Sequence, residues 1–118
     1  MHHKLIIVVN LLVLMSQIPL RVNGVTLNSA LLTSKGYTTS STYVFLMFAN
    51  IDNIDPNAFN GYDHLNHLTI NWNSLPNIDF SRLGPLRESL GALDLSNNPI
   101  AELRNEEDLN FPLVWDLM

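Results

Sequence analysis

Leu90-Gly91-Ala92-Leu93-Asp94-Leu95-Ser96-Asn97-Asn98-Pro99-Ile100-Ala101-Glu102-Leu103 is the stretch that decides the fold. Its spacing reads L-x-x-L-x-L-x-x-N-x-I-x-x-L, which predicts a short strand, a turn held by an Asn and a return segment. Leu93 and Leu95 lie two apart, so on a strand they point to one side, with Asp94 and Ser96 on the other. Asn98 follows where the chain must turn, and its amide can donate to and accept from backbone groups that the turn leaves unpaired. Pro99 enforces extended or turn geometry. Ile100 and Leu103 are expected to bring apolar side chains back to the interior. One such unit cannot bury its own apolar face, whereas stacked copies can.

Further copies stand on its N-terminal side. Leu65-x-x-Leu68-x-Ile70-x-x-Asn73-x-Leu75-x-x-Ile78 matches the template at every position, with Leu83 and Leu86 at later apolar positions. Counted from Ser41, Val44, Leu46, Ile51 and Ile54 take the same offsets, and Phe59 and Tyr62 follow. Ala49 stands here in place of the turn Asn, with Asn50 one residue late, which predicts a distorted turn. A fourth unit is expected to begin near Pro112, with Trp115 and Leu117 as its inward strand residues. Starts at 41, 65, 90 and about 112 lie 24, 25 and about 22 residues apart, inside the range of a strand-and-return repeat.

With three units in register, the chain resembles the leucine-rich-repeat family over about Ser41 to Met118. The segment Ile54-Asp55-Pro56-Asn57-Ala58-Phe59-Asn60-Gly61-Tyr62 resembles the typical extracellular variety, in which an aromatic residue fills the convex side. The resemblance implies an α/β solenoid. This would be a horseshoe fragment with a short parallel sheet on its concave face and few or no regular helices on the convex face. Residues 43–118 are then the repeat domain. Residues 25–42, with Val25-Thr26-Leu27, Ala30-Leu31-Leu32 and a turn-like stretch from Gly36 to Thr42, are the N-terminal capping segment that such an array needs.

Residues 1–24 read as a secretory signal. His2, His3 and Lys4 precede an apolar run from Leu5 to Met15, and Val22 and Gly24 are small residues suited to cleavage before Val25. That run is well short of the roughly 20 apolar residues of a membrane span. The competing reading is an uncleaved N-terminal anchor, because Ile18, Leu20 and Val22 extend the apolar character. Removal of the signal leaves four basic against eleven acidic residues, a net charge of −7. That balance argues against nucleic acid, whose phosphates need clustered Lys and Arg. There is no cysteine, which excludes a disulfide-bonded cap and a thiolate metal site.

The resemblance implies that outward strand positions form the binding surface. They are Tyr43, Phe45, Met47 and Phe48 in the first unit, His67, Thr69, Asn71 and Trp72 in the second, and Ala92, Asp94, Ser96 and Asn97 in the third. Tyr43, Phe45, Phe48, His67, Thr69, Trp72 and Asp94 are the candidate partner-binding residues. Phe48 and Trp72 share one offset and should be neighbours on adjacent strands. Clustered aromatics suit a protein partner, because Trp and Tyr dominate contact energies. The bland alternative for Phe45 and Phe48 is that they cover the N-terminal segment as part of its cap.

Other constellations point away from chemistry. His64 and His67 are three apart but belong to a turn and a strand, with no third ligand in view. Asp52, Asp55 and Asp63 lack the EF-hand order and its Gly. Glu106, Glu107 and Asp108 read as a solvated face. No G-x-S-x-G or phosphate loop occurs, so no catalytic residue, cofactor or metal is expected. N-glycosylation is not expected either, since Asn28-Ser29 and Asn73-Ser74 are followed by Ala30 and Leu75. The expectation is a secreted, non-catalytic protein-binding module. The alternatives are a receptor ectodomain fragment and an assembly protein that stacks through an uncapped C-terminal end, because the sequence stops within a strand unit.

Overall fold

The computed structural model describes residues 24–105 and 116–117. The leader read over 1–24 therefore lies outside the described residues except for Gly24, as do the acidic run at 106–108, Pro112 and Trp115. Chain order is β1 Val25–Leu27, α1 Ser29–Ser34, β2 Tyr43–Phe45, β3 Ile51–Ile54, β4 His67–Thr69, β5 Asn77–Asp79, a 3₁₀ helix Phe80–Leu86, β6 Ala92–Asp94, β7 Glu102–Arg104 and β8 Asp116–Leu117. Among the described residues no helix is long and apolar enough to cross a membrane.

The period of the sequence becomes a parallel ladder. Strands β2, β4, β6 and β8 form one four-stranded sheet in that order. Val44 lies opposite Leu68, Leu68 opposite Leu93, and Leu93 opposite Leu117, so equivalent residues recur 24, 25 and 24 positions apart. The fourth strand thus sits two residues later than a unit starting at 112 requires. Leu117 takes the register position of Leu93, not that of Leu95 as expected. A shift of two keeps the same pleat face, which is why alternation alone did not set the register. Return segments pair separately, β1 with β3 and β5 with β7, all parallel.

Between these ladders lies the core. Val44, Leu46, Leu68, Ile70, Leu93 and Leu95 enter it from the sheet, and Ile51, Ile54, Leu75, Ile78 and Ile100 from the return side. Phe59 and Tyr62 are buried edge to face, with centroids 5.9 Å apart, and Leu83 and Leu86 are buried at the equivalent offset in the next unit. Phe80, which the repeat template does not single out, is buried as well. Leu103 departs from expectation: it is 46% exposed. It lies on β7, which among the described residues pairs only with β5, so no further strand covers it.

Two buried Asn side chains join successive units. Asn73 Oδ1 accepts from the backbone N–H of Ala49 (3.0 Å) and Ile51 (3.1 Å), and its Nδ2 donates to the carbonyls of Leu46 (2.8 Å) and Asn71 (3.0 Å). Asn98 repeats the arrangement one unit on. It accepts from Leu75 N–H (3.1 Å) and donates to Ile70 (2.7 Å) and Leu95 (3.1 Å) carbonyls. Each Asn therefore reaches back to the preceding unit. That direction explains Ala49: the first unit has only β1 and α1 before it, with no equivalent turn to bridge. The distorted turn there takes the form of a second left-handed residue, Asn50 at φ 54°.

Residues 25–42 pack onto the same core. Leu27 and Leu32 are fully buried. Helix α1 starts with Asn28 Oδ1 accepting from Leu31 N–H at 2.9 Å, a standard N-cap. It ends with Gly36 at φ 89°. Gly36 N–H donates to Thr33 O (3.0 Å) and Tyr37 N–H to Leu32 O (3.0 Å), the paired bonds of a Schellman stop, for which glycine is the favoured residue. This stop fixes where Tyr37 leaves the helix.

Candidate functional site

Tyr37 connects the N-terminal segment to the sheet. Its hydroxyl accepts from Phe45 N–H at 2.9 Å and stands 3.1 Å from Phe45 O, to which it donates. Strand β2 is the edge of the four-stranded sheet, so Phe45 would otherwise present both groups to a foreign strand. One phenol satisfies them and fixes the strand that carries the exposed aromatics. Sequence reading missed this residue. An aromatic immediately after a helix-terminating Gly was the available signal.

On the outer face of β2 Tyr43 and Phe45 are exposed, as is Met47 just after the strand. Tyr43 and Phe45 rings lie 5.2 Å apart, and Phe45 and His67 rings 5.8 Å apart, all tilted. Both separations fall within the range of favourable aromatic contact. His67 and Asp94 are half-buried. Asp94 Oδ1 accepts from Ser96 N–H (2.9 Å) and Ser96 Oγ–H (2.6 Å), which holds the carboxylate on this face.

Two expected surface positions are covered. Thr69 is 6% exposed and Ala92 is fully buried. Thr69 stands between Phe45 and Asp94 in the ladder, and Ala92 is next to His67. Strands are only about 4.8 Å apart, so short side chains between long ones are overtopped. The accessible surface is therefore concentrated on β2 and the turns that follow β2 and β4. Phe45 and Phe48 both remain exposed.

Phe48 and Trp72 form the other half of the site. Their rings stack with centroids 5.6 Å apart and planes 25° apart. The backbones are joined too, by Phe48 N–H to Trp72 O at 3.1 Å, and Trp72 N–H continues to Ser96 O at 3.1 Å. Phe48 is 72% exposed and Trp72 40%. Both occupy the left-handed region, at φ 53° and 55°, and Asn97 holds the equivalent position in the third unit at φ 60°. Asn tolerates that conformation, but bulky side chains seldom adopt it. Nearby, Asn71 Oδ1 is covered and has no hydrogen-bond donor among the described residues.

A second concavity lies on the return side, between the β1–β3 and β5–β7 ladders. It measures about 220 Å³ and is lined by Asp52, Asn77, Asp79, Arg82 and Arg104 among others. Its charges are largely committed to each other and to the backbone. Arg82 Nη1 donates to Ile54 O at 3.2 Å and its Nε lies 3.9 Å from Asp79. Arg104 pairs with Glu102 at 2.7 Å. Asp79 Oδ1 accepts from Ser81 N–H and Oγ–H. The Ser81 hydroxyl bond, then its backbone N–H and the two guanidinium groups, hold the Asp79 carboxyl below its usual range against the opposing effect of burial. These contacts cap the 3₁₀ helix and brace adjacent units. His64 lies beside Asp63 at 3.7 Å, with both side chains exposed, while His67 packs on Phe45.

No family model, curated protein or solved structure matches the chain.

Proposed function

We propose that this chain is a secreted leucine-rich-repeat binding module, an α/β solenoid that takes a protein partner on its aromatic sheet face and performs no catalysis. Support for the repeat architecture comes from the parallel register at 24- and 25-residue intervals and from Asn73 and Asn98 bridging successive turns. Secretion rests on the leader read at 1–24. The observation that carries the binding role is the Phe48–Trp72 stack. Two large rings are kept exposed in a backbone conformation that favours Asn, and strain of this kind concentrates at functional sites. Tyr43 and Phe45 extend the same surface. Exposed aromatics are the residue types that anchor protein interfaces.

Capture from extracellular fluid by wild type, Phe48→Asn and Trp72→Ala tests this reading. A partner retained by wild type and lost from both variants supports it. If every captured protein is retained equally by all three, the aromatic face is not the docking surface. A second reading, self-association, is favoured by the exposure of Leu103 on the last return strand. A monomer by light scattering at high concentration would exclude it.

A further inference from the structure

We propose that the occupant of this face is a cationic, extended peptide segment, bearing Arg or Lys side chains that lie against the Phe48–Trp72 and Tyr43–Phe45 rings; the inference rests on the docking role proposed above. The argument is one of charge and ring placement. Among the described residues the Lys and Arg side chains are Lys35, Arg82, Arg87 and Arg104. None belongs to β2, β4 or β6, or to the turns that follow those strands. The face instead carries Asp94, held in place by Ser96, and the whole chain has a net charge of −5. Phe45 and Asp94 share one ladder row through Thr69, so the ring and the carboxylate stand roughly 10 Å apart across two strand spacings. An extended peptide can touch both.

Ring faces carry the negative end of the aromatic quadrupole and attract guanidinium and ammonium groups. The outer faces of the stacked pair and the tilted Tyr43–Phe45 pair are thus electronegative surfaces, and among the described residues no Lys or Arg belongs to the strands and turns that carry them. A neutral apolar partner would use the rings but bring no positive charge to the Asp94 carboxylate, whose bonds to Ser96 leave its charge uncompensated. An acidic partner would meet repulsion from Asp94 and from the chain as a whole. A cationic segment satisfies both features, and Tyr37 already occupies the edge groups of Phe45, so its side chains rather than backbone pairing would provide the contacts.

Titration of the full chain with Gly/Ser dodecapeptides carrying Arg, citrulline or Glu at every third position tests the inference. Calorimetry gives affinity, and the indole N–H resonance absent from Trp72→Ala reports on the face. The Arg peptide should bind, the citrulline peptide about tenfold more weakly, and the Glu peptide not at all. Phe48→Asn and Tyr43→Ser leave the net charge unchanged, so a several-fold loss of Arg-peptide affinity in either variant supports ring contact over general attraction. Asp94→Asn should weaken the Arg peptide and leave the citrulline peptide unchanged. Equal affinity for Arg and citrulline peptides, both weakened by Phe48→Asn, would overturn the cationic partner but keep the docking face. Arg-peptide affinity unchanged in both ring variants would overturn the inference and the docking face together.

Discussion

Asn98 and Phe48 show how much a single side chain decides in this molecule. The Asn98 amide is fully buried and engages Leu75 N–H and the carbonyls of Ile70, Leu95 and Ser96. Truncation would strip several buried backbone groups of their partner, each costing about 1–3 kcal/mol. Asn98→Ala should therefore lose about 3 kcal/mol in urea unfolding, and Asn73→Ala a similar amount; losses below about 1 kcal/mol would mean water replaces the amides. Phe48 is the opposite case. Its ring is mostly exposed, and its left-handed backbone costs about 1–2 kcal/mol relative to a residue at ease there. Losing the Trp72 stack costs about 0.5–1.5 kcal/mol. These effects nearly cancel, so Phe48→Asn should leave the urea midpoint almost unchanged while removing partner binding. A variant that unfolded readily would show that Phe48 serves the fold and not the surface.

At the scale of elements, the strands of the main sheet were legible, whereas the 3₁₀ helix and the residue that closes the sheet edge were not. Apolar residues two apart marked β2, β4 and β6, because a strand with one buried face must alternate. The seven-residue 3₁₀ helix left no such trace, since its Gly84 and Pro85 read as turn residues. Its start depends on Asp79, whose carboxylate accepts from Ser81. Asp79→Ala should cost about 1 kcal/mol at neutral pH, as for a lost N-cap. The sign of the pH effect follows from the lowered pKa. The folded state prefers the ionised carboxylate, so its contribution is complete above the ordinary value of 3.8 and fades as pH falls through the lower folded value. Wild type and variant should therefore converge in stability in strong acid; a constant gap would assign the cost to packing. The sheet edge depends likewise on a distant residue. Tyr37→Phe removes both bonds to Phe45, and hydrogen exchange at the Phe45 amide should accelerate by about tenfold, the equivalent of about 1.4 kcal/mol. Nothing in β2 itself indicates that a hydroxyl eight residues earlier completes it.

Across the whole molecule, the candidate site was legible in outline because a parallel ladder with 24- and 25-residue intervals places equal offsets side by side. Phe48 met Trp72 for that reason, whereas the covering of Thr69 and Ala92 depended on the lengths of their neighbours, which a periodic template does not weigh. The register of β8 was likewise ambiguous by two residues. Size does not distinguish a stacked array from a single closed core. The radius of gyration is 13.8 Å, and a closed globule of this length would measure about 13.5 Å. Linkage does distinguish them. In an array each unit contacts only its neighbours, so an added unit brings its own interface and increases stability. A closed core has no place for an added layer and would be disrupted by it. A second copy of residues 65–89, inserted directly before Leu90, tests the difference. The duplicated stretch carries its own strand residues His67–Thr69, its bridging Asn73 and its apolar Leu83 and Leu86, and its C-terminal end meets Leu90 in the native register. In a stacked array the enlarged chain should unfold in one transition at a higher urea midpoint. Its m-value should rise as well, because m scales with the surface exposed on unfolding. A lower midpoint with an unchanged or smaller m-value would mean that the four-stranded sheet belongs to a closed core, and the repeat reading would fail with it.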